Sequence, residues 1–348
     1  METEHEIHVG DAAAMTAVPD DSVDLVVTSP PYPMIEMWDD LFADLDPAVG
    51  EHLDSGDGDA AYEAMHDALD AVWAELSRVL APGGVAAVNV GDATRKVDGS
   101  FQLFPNHARV TRDLQERGLR PLPDILWRKP SNRLTKFMGS GMVPPNAYAA
   151  LEHEYVLLFR NGDPRKLEPG ADRRYEAAYF WEERNRWFSD LWTDVRGEAQ
   201  DLDHGDLRER SAAFPFELPY RLVNMYSVYG DTVLDPFWGT GTTSLAAMVA
   251  GRNSVGYELD AEFTGVFDDR AADAPALSRR KAGERLDAHR RFVREHDGDL
   301  GYDAANYDFP VKTRQEEDLQ FYAVTDVDRV DADHPGERFV ATHEPHTG

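Results

Sequence analysis

The chain of 348 residues contains no cysteine. Reactions that begin with a thiolate nucleophile are therefore excluded. The sequence also lacks a signal peptide, a targeting motif and an apolar run long enough to cross a membrane. These absences predict a cytoplasmic protein.

Basic residues are scarce, and lysine is much rarer than arginine. The chain carries 35 Lys+Arg against 65 Asp+Glu, which gives a net charge of −30, and only six of the basic residues are lysine. An acidic, lysine-poor and cysteine-free chain is typical of a halophile, whose internal salt screens surface charge over a few ångströms. Alternatively, the chain is simply acidic.

A proline turn directly follows an apolar run at residues 23–27. The turn reads Thr28-Ser29-Pro30-Pro31-Tyr32. The run predicts a buried parallel strand, and two prolines prevent either a strand or a helix from continuing. Open α/β sheets bind their ligands at this end of a strand. The turn offers a hydroxyl, free carbonyls and an aromatic ring, which suit a flat heterocycle with an amino edge.

A second strand and turn follow some two hundred residues later. Residues 231–235 predict a strand, a glycine turn contains Gly239 and Gly241, a helix spans 242–250, and a further strand ends near Glu258. Glycines allow a close backbone approach to a ligand, and an acid at the end of the next strand suits a ribose diol. A nicotinamide site requires a third glycine near Ser244, and a P-loop requires Gly-Lys-Ser/Thr; the sequence has neither.

Together these two motifs resemble those of amino-group DNA methyltransferases that use S-adenosylmethionine. Their order resembles the circularly permuted β class, in which the target-base motif comes first. Segments at 76–84, 125–130 and 152–160 are similar to the family's middle motifs, so the resemblance covers about residues 5–270. It implies an α/β, Rossmann-like methyltransferase fold with a target-recognition insertion and a C-terminal extension.

The resemblance assigns site residues. The target-base motif supplies the catalytic residues Ser29, Pro30, Pro31 and Tyr32. The S-adenosyl-L-methionine site is assigned to Asp11, Phe214, Asp235, Pro236, Phe237, Gly239, Gly241, Thr242 and Glu258. Within it, Asp11 reaches the adenine amino group and Glu258 the ribose. No metal site is expected, and no histidine is assigned as a general base.

The chemistry predicted for this site is direct, in-line transfer of a methyl group to an exocyclic amine. Methylation of cytosine at carbon 5 is excluded, because the chain has no thiolate to add to the ring. An amino group inside the duplex is out of reach, so the base must flip out. Adenine-specific relatives usually place Asp or Asn where Ser29 stands, which favours cytosine N4; adenine N6 is the alternative.

The predicted partner is double-stranded DNA. Residues 128–186 hold eleven Lys/Arg and eight Asp/Glu, a local excess of positive charge that predicts the DNA face. The basic residues assigned to DNA binding are Arg128, Lys129, Arg133, Lys136, Arg173, Arg174, Arg184 and Arg186. A methyltransferase acting on RNA or a small amine, and an inert DNA-binding module, are the other hypotheses; intact catalytic motifs argue against the last.

The predicted domain organisation has four parts. Residues 1–160 form the target-base half and 213–270 the cofactor half of the catalytic domain. Residues 161–212, rich in Arg and Trp, form the target-recognition region, unless the tryptophans make a small satellite core. Residues 271–348 form a loop-rich extension that either packs on the catalytic domain or mediates a homodimer. Residues 39–59 are expected to form a loop near the active site or a mobile insertion. By composition the chain resembles haloarchaeal modification enzymes that methylate CTAG, often without a partner nuclease.

Overall fold

The computed structural model describes residues 1–129, 138–168, 171–196 and 214–348. Its strands are β1 (Glu2–Val9), β2 (Val23–Thr28), β3 (Leu80–Val90), β4 (Ala93–Val97), β5 (Ser100–Phe104), β6 (Arg120–Pro121), β7 (Ile125–Arg128), β8 (Met138–Gly139), β9 (Ala147–Tyr148), β10 (His153–Arg160), β11 (Leu191–Trp192), β12 (Thr232–Asp235), β13 (Asn253–Glu258), β14 (Tyr302–Asp303), β15 (Pro310–Val311), β16 (Tyr322–Val330) and β17 (Gly336–Pro345). Its helices are α1 (Asp39–Leu45), α2 (Pro47–Asp54), α3 (Gly58–Val79), α4 (Asn106–Glu116), α5 (Asp172–Glu176), α6 (Trp181–Trp187), α7 (Glu217–Tyr226), α8 (Thr242–Val249) and α9 (Phe267–Glu295).

One large mixed sheet organises these elements. Its strand order is β11-β7-β10-β3-β2-β12-β13-β1-β17-β16, and β6 adds to β10. The central strands β3, β2, β12, β13 and β1 are mutually parallel. β7 runs in the same direction, since it is antiparallel to β10 and β10 is antiparallel to β3. The carboxyl ends of all these strands therefore meet at one edge of the sheet.

The apolar residues of 61–80 recur at helical spacing, which predicts a core-facing helix, and α3 has that apolar face. Tyr62, Met65, Leu69, Val72, Trp73 and Leu76 are all buried in the core beside the sheet. The helix ends at Val79 and β3 begins at Leu80, so Pro82, Gly83 and Gly84 lie within the strand. Gly83 has φ +82°, and the register against β2 shifts across this segment, so a bulge carries the strand through the glycines.

The acidic segment 39–59 is helical, contrary to the predicted loop. Asp46 accepts a hydrogen bond from Ala48 N at 3.0 Å and caps α2, and Pro47 occupies its first position. Phe42 of α1 and Val49 of α2 are fully buried. Single apolar residues thus anchor these acidic helices to the core.

The C-terminal segment is part of the main sheet. β17 pairs with β1 from Glu2 to His8, and β16 pairs with β17. Of the two predicted roles, the structure shows packing on the catalytic sheet. The predicted boundary between 270 and 271 lies inside α9, which packs against β16 and α8. No described helix has both the length and the apolar composition that a membrane span requires.

The Trp-rich segment contributes to the main core. Trp187 of α6 and Trp192 of β11 are both about 1% exposed and belong to the same apolar cluster as the central strands. The prediction of a recognition surface or a satellite core is wrong for these two residues. Residues 197–212 of the predicted recognition region lie outside the described residues.

Candidate active site

A cavity of about 530 Å³ opens at the carboxyl edge of the sheet, above β1, β2, β12 and β13. Such a volume is typical of a cofactor or substrate site. All but one of the residues predicted for catalysis and cofactor binding line it: Asp11, Ser29, Pro30, Pro31, Tyr32, Phe214, Asp235, Pro236, Phe237, Gly239, Thr242 and Glu258. Helix α1 adds Asp40, Leu41 and Asp44, which the sequence analysis did not identify.

The two glycines of the turn after β12 have different surroundings. Gly239 has φ +56°, and a Cβ there would meet only the Phe237 carbonyl oxygen, at 4.0 Å. Gly241 has φ +75°, and its Cβ would lie 2.5 Å from both Trp238 and Phe267. A side chain at Gly241 would therefore collide with these two core rings. Gly241 makes room for core aromatic rings, and of the two turn glycines Gly239 is the one that lines the cavity.

Glu258 braces this turn from the end of β13. Its carboxylate accepts hydrogen bonds from Gly239 N at 2.8 Å and from Asp260 N at 3.0 Å. Burial raises the pKa of Glu258 above its ordinary value. Each oxygen keeps a second lone pair, so the carboxylate can hold the turn and still accept from a bound hydroxyl.

Asp235, one of the residues that line the cavity, joins the two motif-bearing strands. Its carboxylate accepts hydrogen bonds from Thr28 Oγ1 at 2.6 Å, Thr243 Oγ1 at 2.7 Å and Phe237 N at 3.1 Å. Burial raises the pKa of Asp235 to about 6. These bonds fix the end of β2 against the start of α8, so Asp235 contributes chiefly to the shape of the site.

Asp11 occupies the opposite wall. Its side chain accepts from Ala13 N at 2.8 Å and caps the short 3-10 helix Ala12–Ala14. The residue is exposed at the end of β1, so its second oxygen is open to a ligand. Phe214, 7% exposed, supplies apolar surface to the same cavity.

The Ser-Pro-Pro-Tyr turn stands where β2 ends. Pro30 and Pro31 are buried, and Ser29 Oγ lies 3.0 Å from Tyr32 Oη. Tyr32 Oη donates to Glu154 Oε2 at 3.1 Å and accepts from Asn89 Nδ2 at 2.8 Å. Burial and the adjacent Glu154 carboxylate raise the pKa of Tyr32 well above its ordinary value.

Sequence reasoning missed Asn89 and Glu154. Asn89 Nδ2 also donates to Glu154 Oε2, at 2.7 Å, which closes a triangle behind the turn. Asn89 is 2% and Glu154 9% exposed. A signal existed for Asn89, because it is the one polar side chain in the otherwise apolar run 85–90. Glu154 lies within a segment that resembles a family motif, but no role was assigned to it.

Two of the predicted DNA-binding residues lie near the cavity. Arg128 ends β7 and Lys129 follows it, at the carboxyl edge of the sheet. Arg128 pairs with Glu152 at 2.9 Å, and Lys129 contacts the Glu154 carboxylate. Both side chains are at least half exposed. Arg133 and Lys136 lie outside the described residues.

The remaining predicted DNA contacts that the structure describes do not lie beside the cavity. Arg173 of α5 is 4.0 Å from Asp231, which precedes β12 at the amino edge of the sheet. β2 is six residues long, roughly 20 Å, and separates this edge from the cavity. Arg174 shares α5, while Arg184 and Arg186 are exposed on α6, which leads into the amino end of β11.

Comparison with known sequences finds a family match and close relatives. The profile of the family described as DNA methylase (N6_N4_Mtase) matches residues 23–267. Type II methyltransferase M.MthZI of Methanothermobacter thermautotrophicus is 53% identical over 325 residues, 92% of this chain and 91% of that protein. Type II methyltransferase M.MjaI of Methanocaldococcus jannaschii is 48% identical over 279 residues, 77% of this chain and 91% of that protein.

Solved structures share the architecture. The putative DNA modification methylase TTHA0409 of Thermus thermophilus, complexed with S-adenosyl-L-methionine, superposes with a TM-score of 0.61 at 34% identity, covering 78% of this chain and 95% of that one. PvuII DNA methyltransferase (cytosine-N4-specific) gives 0.52 at 18% identity, covering 77% and 86%. The fold is therefore the Rossmann-like fold of S-adenosylmethionine-dependent methyltransferases.

Proposed function

The chain belongs to the N6/N4 DNA methylase family and uses S-adenosylmethionine, and from this we propose that it methylates the exocyclic N4 of cytosine at a specific site in duplex DNA. The observation that carries the proposal is the placement of Ser29 and Tyr32 on the same cavity as Gly239 and Glu258. Groups that recognise an amino-bearing base thus face groups that suit the cofactor.

The cavity residues fit the cofactor. When bound, S-adenosylmethionine supplies an electrophilic methyl group. The bare backbone of Gly239 allows close approach, and Glu258 and Asp11 offer acceptors at opposite walls for ribose hydroxyls and an adenine amino group. Phe214 adds apolar surface, and Thr242 presents the start of α8. In this proposal the chain orients the two reactants, which alone accounts for a large part of a rate enhancement.

Ser29 favours cytosine over adenine as the target. Its hydroxyl is short and sits at the rim of a turn whose two prolines are buried, so the base must approach the turn closely. The Tyr32 hydroxyl contacts the side chains of Ser29, Glu154 and Asn89, which hold the residue in place. Its ring borders the cavity, where it can stack on an extruded base. Adenine N6 is the alternative, because its amino group offers the same two hydrogens.

Nucleoside mass spectrometry tests the assignment. Duplex DNA is incubated with the purified protein and S-adenosylmethionine at high KCl and then digested to nucleosides. We expect N4-methylcytosine, and Ser29→Ala should lower its formation far more than it lowers cofactor affinity. N6-methyladenine as the product would refute the base assignment and leave the cofactor site intact.

Further proposals concern biological context. The protein would act in the cytoplasm on double-stranded DNA, as part of a restriction-modification system or as an enzyme without a partner nuclease, and as a monomer or a homodimer. The composition supports a halophilic source, and CTAG is the proposed recognition sequence. Sequencing methylated host DNA tests the recognition sequence directly, because every modified site would then share one motif.

A further inference from the structure

The hydrogen bonds behind the Ser-Pro-Pro-Tyr turn can point in only one direction. The Glu154 carboxylate has no proton to give while it pairs with Lys129, so it accepts from Tyr32 Oη and from Asn89 Nδ2. Tyr32 has a single hydroxyl hydrogen, and that hydrogen goes to Glu154. The contact of 3.0 Å between Ser29 Oγ and Tyr32 Oη then requires the serine to be the donor.

This direction fixes the character of Ser29. With its own hydrogen turned toward Tyr32, Ser29 Oγ presents only lone pairs to the cavity. An exocyclic amino group has hydrogens to donate, so the chain presents the matching acceptor before the base arrives. Tyr32 lines the cavity, whereas Asn89 and Glu154 are not among the described residues that line it. Both contact Tyr32 from the side away from the cavity.

We infer that Glu154 is a positioning residue that, through Tyr32, holds Ser29 as an acceptor for the target amino group and receives the proton released by methylation. This inference rests on the proposed amino-methyltransferase function. Asn89 supports it by donating to both Tyr32 and Glu154, which keeps the tyrosine hydroxyl on the line between Ser29 and the carboxylate.

The proton balance is complete within these residues. The amine nitrogen forms its bond to the methyl carbon as the sulfur–methyl bond breaks, and that electron pair returns to sulfur. The nitrogen is then cationic and strongly acidic. One of its hydrogens passes to Ser29 Oγ as the serine hydrogen passes to Tyr32 Oη and the tyrosine hydrogen passes to Glu154 Oε2. Since Tyr32 starts and ends protonated, its raised pKa is no obstacle.

The matched variants are Glu154→Gln, Tyr32→Phe and Glu152→Gln. Glutamine keeps the shape of Glu154 without its capacity to take a proton, and phenylalanine keeps the stacking ring of Tyr32 without the hydroxyl. Glu152 is the control, because it lies two residues away on the same chain segment and pairs with Arg128 outside the network. Rates are measured in a single turnover with saturating DNA and cofactor, and cofactor affinity is measured separately by calorimetry.

We expect Glu154→Gln and Tyr32→Phe each to slow methyl transfer by about 10²-fold or more, the range of proton-transfer catalysis, with unchanged cofactor affinity. The double variant should be no slower than the slower single variant, because both break the same chain. The wild-type rate should fall toward acid pH, and Glu154→Gln should lack that dependence. Glu152→Gln should match the wild type.

Two results would overturn the inference in distinguishable ways. If the wild type methylates DNA and Glu154→Gln does so at a similar rate with the same pH profile, the network has no such role, although the proposed function stands. If the wild type methylates no amino group in DNA, both fail. A slow Glu154→Gln variant that keeps the wild-type pH profile would show a purely structural role and would also overturn the proton transfer.

Discussion

Replacing each glycine of the cofactor turn by alanine should separate stability from binding. At Gly241 the new Cβ would lie 2.5 Å from Trp238 and Phe267, with the backbone held at φ +75°. A left-handed conformation costs an alanine about 1–2 kcal/mol, and overpacking a core costs about 1–3 kcal/mol. Together they should lower the free energy of unfolding by roughly 2–5 kcal/mol, which is a large part of a typical domain's stability.

Gly239→Ala is the matched variant, because φ is +56° and no other atom lies near the new Cβ. Its stability loss should be limited to the strain of about 1–2 kcal/mol. The methyl group would instead occupy the cavity, so cofactor affinity should fall by about tenfold, or ~1.4 kcal/mol. Urea denaturation and calorimetric titration measure the two quantities. Equal urea midpoints for the two variants, or wild-type cofactor affinity in Gly239→Ala, would refute the reasoning.

Three further predictions follow from the same geometry. The pKa of Asp235 is raised to about 6 in the folded state, so the stability that its protonated form contributes is full below about pH 4 and is lost as the pH rises through 6. The free energy of unfolding should fall by about 3 kcal/mol at most over that range. Asp235→Asn should remove this pH dependence of the urea midpoint. In gel shifts with duplex DNA, Arg128→Glu should weaken binding, whereas Arg174→Glu on α5 should not, because Arg128 lies at the cavity edge; the reverse order would contradict the map. Deleting residues 320–348 should lower the unfolding temperature, because it strips β17 from β1, and a truncated chain as stable as the full one would show that this pairing contributes nothing.

The sequence was sufficient to locate the site because its signals are local. Each motif follows its own apolar run, and parallel strands bring their carboxyl ends together, so Ser29 and Glu258 meet across a cavity despite their separation in the chain. The period of α3 was equally local, since every turn of that helix carries its own buried residue. Features of this kind require no knowledge of what packs against them.

The predictions of secondary structure were wrong for segments whose conformation depends on packing against another element. Helices α1 and α2 each bury few residues among many acids, so composition predicted a loop while Phe42 and Val49 determined the structure. β17 buries Phe339, Ala341 and His343 on one face only, and the alternation is recognisable as a strand mainly once β1 lies beside it. In both places tertiary packing overrides a weak local preference.

The positions of the basic residues also depend on strand pairing. Arg128 lies at the carboxyl edge of the sheet, β10 runs from that edge to the amino edge, and Arg173 lies near Asp231 there, so one basic stretch in sequence reaches both edges of the sheet. Strand direction, which decides the end, is set by pairing and not by composition. The same pairing places Glu154, which follows His153 at the start of β10, beside Asn89 near the end of β3. Because β10 is antiparallel to β3, its first residues lie at the carboxyl edge of the sheet, and Glu154 can contact Tyr32 there. A substitution that shifted the β3–β10 register by one residue would turn the Glu154 side chain away from the tyrosine.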